Sequence, residues 1–269
     1  MNITTLTRPL VRHEAYEGVL RLTLDDPGRR NALSRALMSE LHAAILAAGR
    51  DPAVRVIVLA AEGRAFSAGH DLKELTAHRA DPDGGRDFFT ETFAACADLM
   101  TAIVRAPKPI IAEVAGVATA AGCQLVASCD LAVAAEGASF ATPGVLIGLF
   151  CSTPMVALTR SIARKHAMEL LLTGEPISAA EAHRMGLVNR VVAEDLLTEE
   201  TMLLAETIAS RSPLTLRYGK ETAAAQSCLD LEAAYALAAA AMTENLLAYD
   251  AEEGIAAFLG KRAPVWQDR

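Results

Sequence analysis

Apolar and polar positions alternate from Gly18 to Leu24, with Leu20, Leu22 and Leu24 on one face and the turn signal Asp25-Asp26-Pro27-Gly28 after them, which predicts a strand. The period then changes. Leu33, Leu37, Leu41 and Ile45 repeat at helical spacing around Ser34, and Gly49 before Asp51-Pro52 closes a helix over about residues 35 to 48. Val54 to Ala60 and Ile110 to Val114 are β-branched and mostly apolar, as expected of strands covered on both faces. Between them, Asp81-Pro82-Asp83-Gly84-Gly85 marks a loop within Thr76 to Arg86, expected to be mobile, and Asp87 to Arg105 returns to helical periodicity. Leu131 to Ala134 and Gly186 to Val192 read as further short strands. Ser178-Ala-Ala-Glu181 is a capping box that starts a short helix ending at Gly186.

From about residue 194 the strand signals stop, and Ala- and Leu-rich helical stretches follow near 195 to 210, 213 to 226, 229 to 248 and 251 to 260. Two regions result: a βα-repeating core over residues 1–192 and a helical region over 193–269. The second is too apolar to stand free, so it packs on the core or on another subunit. The uncharged run from Gly137 to Thr159 is long enough to weigh as a membrane span, but Pro143, Gly144, Gly148 and Pro154 would break a helix in lipid. It reads as a buried loop and pocket wall, and no membrane association is expected.

Composition narrows the class. The 269 residues are 52% hydrophobic, enough for a sizeable core, and Met1 to Glu17 is polar and mixed, with no apolar leader segment. Five cysteines, Cys96, Cys123, Cys129, Cys151 and Cys228, form no C-x-x-C pair, so neither a disulfide framework nor a zinc site is expected, and a reduced, cytoplasmic location fits. A formal charge of −8 with scattered Lys and Arg argues against nucleic-acid binding.

The candidate chemistry lies in two small-residue segments, Phe66 to Lys73 and Ala115 to Gln124, each where an apolar strand gives way to a helix. Two such turns can aim two backbone N–H groups at one carbonyl oxygen, beside a helix N-terminus of positive dipole, and so form an oxyanion hole. No evident carboxylate stands beside them.

These residues resemble the crotonase superfamily, the enoyl-CoA hydratase/isomerase fold, from Gly18 to Trp266. The landmarks are Pro27 with Asn31-Ala32-Leu33, the Phe66 to Lys73 turn, Lys108 to Ala112, Gly122 to Leu125, Cys129 to Ala132, Phe140-Ala141-Thr142-Pro143, and the run from Thr173-Gly174-Glu175 to Gly186-Leu187-Val188. The resemblance implies an α/β fold, a spiral of ββα repeats with a C-terminal helical trimerisation region. It also implies a homotrimer or a dimer of trimers, and an acyl-CoA thioester as ligand. Coenzyme A enters as part of the substrate, with no separate cofactor and no metal. The thioester carbonyl would lie between the N–H groups of His70 and Ala121. Lys73, Phe258 and Lys261 match positions that serve the CoA moiety, the last two often from a neighbouring subunit. Arg30 and the turn residues Ser67, Ala68, Asp71 and Leu72 complete the candidate substrate set, and Arg29 could also face phosphate.

The departures matter more. Hydratases of this family place two glutamates across the substrate, and the matching positions here are Gln124 and Gly144. An amide holds a water but accepts no proton at neutral pH, and glycine has no side chain. Gly137 to Met168 contains no Asp or Glu, while Glu113 and Glu136 border strands and read as surface or helix-end charge. Each missing acid or base removes roughly 10²–10⁴ in rate, so ordinary hydration should be weak. Restoring glutamate at both positions should raise it if the pocket geometry is retained. Ala120-Ala121 also stands where many relatives carry consecutive glycines.

Substitute chemistry could come from the His70 imidazole or from Cys151, Ser152 and Thr153; otherwise the His70 side chain points away and only its N–H is used. Cys123 and Cys129 read as core, and His13, His42, His78, His166 and His183 show no ligand spacing. Three functions stay open: a weak or non-standard hydratase/isomerase, a non-catalytic acyl-CoA carrier or regulatory protein, and a crotonase-fold thioesterase or decarboxylase. A serine-peptidase triad is not found.

Overall fold

A computed structural model describes residues 8–269; the start of the polar opening segment, residues 1–7, lies outside the described residues. Val11–Tyr16 (β1) and Val19–Leu24 (β2) pair as an antiparallel hairpin through Glu17 and Gly18, both at positive φ (37° and 89°), the backbone a tight two-residue hairpin turn requires. β1 has no counterpart in the hydrophobic pattern. It is an edge strand with one buried residue, Val11, so the alternation that marks a half-buried strand never develops.

Arg35–Arg50 (α1) follows, its N-terminus capped by the Ser34 hydroxyl accepting from the Leu37 N–H. The helix runs through Gly49 instead of ending there. A Cβ at Gly49 would stand 3.2 Å from the Pro107 ring, so this glycine serves close packing and not a helix stop.

Three strand–strand–helix passages then build the body. Val56–Ala61 (β3) and Ala65–Ser67 (β4) lead to Leu72–Ala77 (α2) and Arg86–Arg105 (α3). Ile110–Val114 (β5) and Val117–Thr119 (β6) lead to Ala121–Ser128 (α4). Leu131–Ala135 (β7) and Ser139–Ala141 (β8) lead, through a 3-10 turn at Pro143–Ile147, to Ser152–Ser161 (α5) and Arg164–Thr173 (α6). Ile177–Ser178 (β9), Ala179–Met185 (α7) and Arg190–Val192 (β10) close the series, and Ser178 caps α7 as its sequence requires. The first strand of each passage joins a six-stranded sheet of order β1-β2-β3-β5-β7-β10 and the second a four-stranded sheet of order β4-β6-β8-β9. This is the ββα spiral.

Residues 81–85 form a turn joined to α3: the Asp83 carboxylate accepts from the Gly85 and Asp87 N–H groups, and His78 stacks on Phe88 with ring centroids 3.5 Å apart. The uncharged run Gly137–Thr159 is partly helical, and it is not buried throughout: Leu146 and Ile147 are 67% and 60% exposed.

Leu197–Ala209 (α8), Pro213–Gln226 (α9), Leu231–Leu247 (α10) and Tyr249–Leu259 (α11) complete the chain. Both faces of β3 are covered. Ile57 and Leu59 join the main core with Leu37, Leu41 and Leu99, whereas Val56 and Val58 face Leu197, Ala205 and Ala209 of α8. None of the 17 residues of α10 is buried, although Leu231, Tyr235, Met242 and Leu247 are large and apolar. No helix among the described residues is long and apolar enough to cross a membrane.

Glu113 is not a surface charge. It lies buried in β5, where its Oε1 accepts from Arg21 Nη2 at 2.6 Å and from the Thr198 hydroxyl at 3.1 Å. Glu136, by contrast, is exposed in the turn after β7. Removing Glu113 takes away the buried partner of Arg21 and leaves it only the more exposed Glu14, 3.3 Å away. Glu113→Ala should therefore lower unfolding free energy by about 3 kcal/mol, measured by urea denaturation; a loss below about 1 kcal/mol, the range of exposed pairs, would show that water already solvates Arg21.

Candidate functional site

β4 and β6 are parallel neighbours, with Ala65 opposite Val117 and Ser67 opposite Ala118, so the turns at their C-terminal ends emerge side by side. Such strand ends are where parallel sheets present ligand sites. The first turn is held from beneath by Asn31, which is fully buried at φ 51°. Its amide donates to the Glu62 and Ala65 carbonyls, and its own carbonyl accepts from the Ser67 hydroxyl at 2.8 Å. Ala68 N–H donates to Arg30 O and Leu33 N–H to Gly69 O, which lays the turn along residues 30–33.

The two turns touch. A Cβ on Gly69, whose φ is 82°, would stand 2.9 Å from Ala120 Cβ and 3.2 Å from the Ala121 nitrogen. A Cβ on Gly122 would stand 2.3 Å from the Ser67 carbonyl oxygen. Both contacts exist only because these residues lack side chains. Ala120 takes φ 51°, ψ −118°, a region that L-residues rarely enter and that stores about 1–3 kcal/mol. It turns the chain so that Ala121 opens α4. Among the described residues, neither the His70 N–H nor the Ala121 N–H donates to a protein acceptor.

The imidazole of His70 packs edge-on against Phe93 of α3, with centroids 5.4 Å apart. Both its ring nitrogens are shielded from solvent and have no hydrogen-bond partner. Burial lowers its pKa from the ordinary 6.5, with the Leu33 carbonyl acting in the opposite direction. Gln124 is also buried, and its Oε1 lies 3.8 Å from the Cys96 thiol, one turn along α3 from Phe93. Side chains from both turns thus meet one face of α3.

The space at Gly144 is filled. A Cβ there would stand 2.6 Å from the Leu149 carbonyl oxygen and 2.9 Å from the Cys151 sulfur, because the loop folds back with Leu149 N–H donating to Gly144 O. A side chain at position 144 therefore requires this loop to move, and the condition of retained pocket geometry is not met on this backbone. Cys151 is buried, and burial raises its thiol pKa, as it does for Cys96 (about 11) and Cys123 (about 12). These thiols are protonated at neutral pH and poor nucleophiles.

A cleft of ≈790 Å³ opens beside the first turn, lined by Arg29, Arg30, Ala68, His70, Asp71, Leu72, Lys73 and Glu74. Five candidate substrate residues, Arg30, Ala68, Asp71, Leu72 and Lys73, are therefore brought together with His70. Ser67 is not: it is fully buried, with its hydroxyl donating inward to Asn31. Phe258 and Lys261 do not line the cleft within one chain, and Phe258 is 83% exposed. Two carboxylates line it after all. Asp71 Oδ1 accepts from the Lys73 and Glu74 N–H groups while Oδ2 lies 3.6 Å from Arg29, and Glu74 accepts from the Arg35 N–H at 3.1 Å. Phe93 and Cys96 carried no separate signal, being part of a helical apolar stripe. Among the described residues, no cluster of three or more potential metal ligands occurs.

Residues 14–269 match the family described as enoyl-CoA hydratase/isomerase. The chain is 52% identical over 250 residues to the mitochondrial enoyl-CoA hydratase domain-containing protein 3 of Rattus norvegicus, covering 93% of this chain and 82% of that one. Among solved structures, human enoyl Coenzyme A hydratase domain-containing protein 3 superposes with a TM-score of 0.91 at 50% identity, covering 96% of this chain and 100% of that one. An enoyl-CoA hydratase of Mycobacterium smegmatis gives 0.91 at 48%, covering 96% and 99%. The cytoplasmic expectation is overturned by the rat, mouse, Xenopus laevis and human relatives, all named mitochondrial. Unpaired thiols report a reducing compartment and do not separate cytoplasm from matrix.

Two outcomes follow. Gly122→Ala should lower stability by about 1–3 kcal/mol through overpacking against the Ser67 carbonyl, checked by chemical denaturation; a neutral result would mean that the turns separate readily. The lowered His70 pKa means that the unfolded chain takes up this proton first on acidification. Its contribution is fully present above 6.5 and is lost as pH falls through 6.5 toward the lowered folded value. Thermal midpoints should therefore fall less in His70→Phe than in the wild type between about pH 7.5 and about pH 5; equal falls would contradict the burial.

Proposed function

The chain belongs to the enoyl-CoA hydratase/isomerase family, and from that premise we propose that it binds acyl-CoA thioesters and polarises the thioester carbonyl between the N–H groups of His70 and Ala121. One observation carries this reading: two N–H groups without protein acceptors sit on turns in contact with each other. Donors fixed in advance stabilise a developing oxyanion at no cost of reorganisation, each contributing about 3 kcal/mol where measured in other enzymes. α4 adds the positive end of its dipole behind Ala121. Arg29, Arg30 and Lys73 supply cations along the cleft for the CoA phosphates.

Ordinary hydration is weak on this reading. Gln124 retains a hydrogen-bonding role toward a water or the acyl chain, and the second glutamate's place is filled by the Leu149 carbonyl and Cys151. That filled space also favours the second reading, a carrier that binds thioesters without turning them over. Assembly as a homotrimer or a dimer of trimers is supported by the unburied apolar side chains of α10, and it would bring Phe258 and Lys261 of one subunit toward the cleft of another.

Calorimetry with butyryl-CoA beside steady-state assays with crotonyl-CoA tests the proposal. Binding is expected with hydration at least about 10²-fold below a two-glutamate hydratase. Gln124→Glu with Gly144→Glu should give no gain. Absent thioester binding would refute the assignment, and hydration at the rate of a two-glutamate enzyme would refute the role given to Gln124 and Gly144.

A further inference from the structure

Two amides account for the carbonyl of a bound thioester, and the imidazole of His70 is left over. Its two ring nitrogens are unpartnered and screened from solvent, a condition unfavourable for a buried polar group. A phenyl ring would fill the same space against Phe93 without that cost. Of the cleft-lining groups able to accept a proton, Asp71 is engaged by two amides and Arg29, and Glu74 by the Arg35 N–H. His70 has no partner within hydrogen-bond geometry, the Leu33 carbonyl being its nearest backbone influence. A thioester whose oxygen rests on the His70 N–H carries its carbonyl carbon next and its α-carbon one bond further, within reach of the same residue's side chain.

We infer, on the reading of the site given above, that the His70 imidazole moves the proton at the α-carbon of the bound acyl-CoA thioester. Rotation about its side-chain bonds turns a ring nitrogen from Phe93 toward the cleft. The unprotonated nitrogen takes the α-proton as the Cα–H bond breaks. The electron pair becomes the carbon–carbon double bond of an enolate, and the charge rests on the thioester oxygen facing the His70 and Ala121 amides. The imidazolium then returns a proton to the same carbon. Nothing is oxidised or reduced, and no group departs. Burial supports the assignment by keeping the ring neutral, hence able to accept, at neutral pH.

The test is α-proton exchange in D2O with butyryl-CoA, read by NMR and mass spectrometry beside calorimetric binding. The wild type should incorporate deuterium above the buffer rate. His70→Asn and His70→Phe should lose this about 10²-fold while binding is retained, since the backbone N–H is unchanged. Binding without exchange in the wild type, or exchange at wild-type rate in the Asn variant, overturns this inference alone. Absent binding overturns it together with the reading beneath it. Should neither variant fold, the ¹⁵N-labelled His70 ring resonances of the wild type must move on adding butyryl-CoA, and unmoved resonances overturn the inference.

Discussion

The site depends on one steric condition, that two backbone turns come into contact. Parallel pairing of β4 with β6 brings the strand ends together, and the missing side chains of Gly69 and Gly122 allow the last approach. A methyl group on Gly122 would meet a carbonyl oxygen at 2.3 Å, a distance no rotamer change relieves because the obstacle is backbone. Interiors are packed too densely to absorb such an intrusion locally. The His70 and Ala121 amides are therefore held by the fold's framework, with the Asn31 hydrogen bonds bracing the first turn.

Departures from ordinary packing gather around the same contact. Ala120 holds a backbone conformation that glycine would adopt without strain, and the imidazole one turn away is buried unpaired. Such features persist only where the surrounding structure over-determines them. Here the surroundings supply it: the core that includes Phe66, Cys123 and Leu125 lies directly beneath. Far from the cleft, Glu113 Oε1 is held by Arg21 and the Thr198 hydroxyl, while Glu113 Oε2 and Arg21 Nε are also buried without a partner.

The loop after β8 leaves no room for a side chain at Gly144. The Leu149 carbonyl and the Cys151 sulfur stand where its Cβ would be. The cleft beside the first turn is lined by His70 together with Asp71 and Glu74, whose carboxylates are held by neighbouring N–H groups.

Much of this was legible from residue order. Local periodicity marked α1, α3 and the four C-terminal helices, and small residues after apolar strands marked the two turns that the fold brings into contact. Those features are local, set by side-chain spacing within one element or one turn. What lay beyond residue order was settled by neighbours distant along the chain. An edge strand without alternation pairs with β2, Gly49 lies within a helix where a side chain would crowd Pro107, and Glu113 is buried beside Arg21. The crowding at Gly144, the burial of the His70 ring nitrogens and the absence of Phe258 from the cleft lining are of the same kind. A sequence records which side chains are apolar or charged, but which of them meet is decided when the whole chain packs.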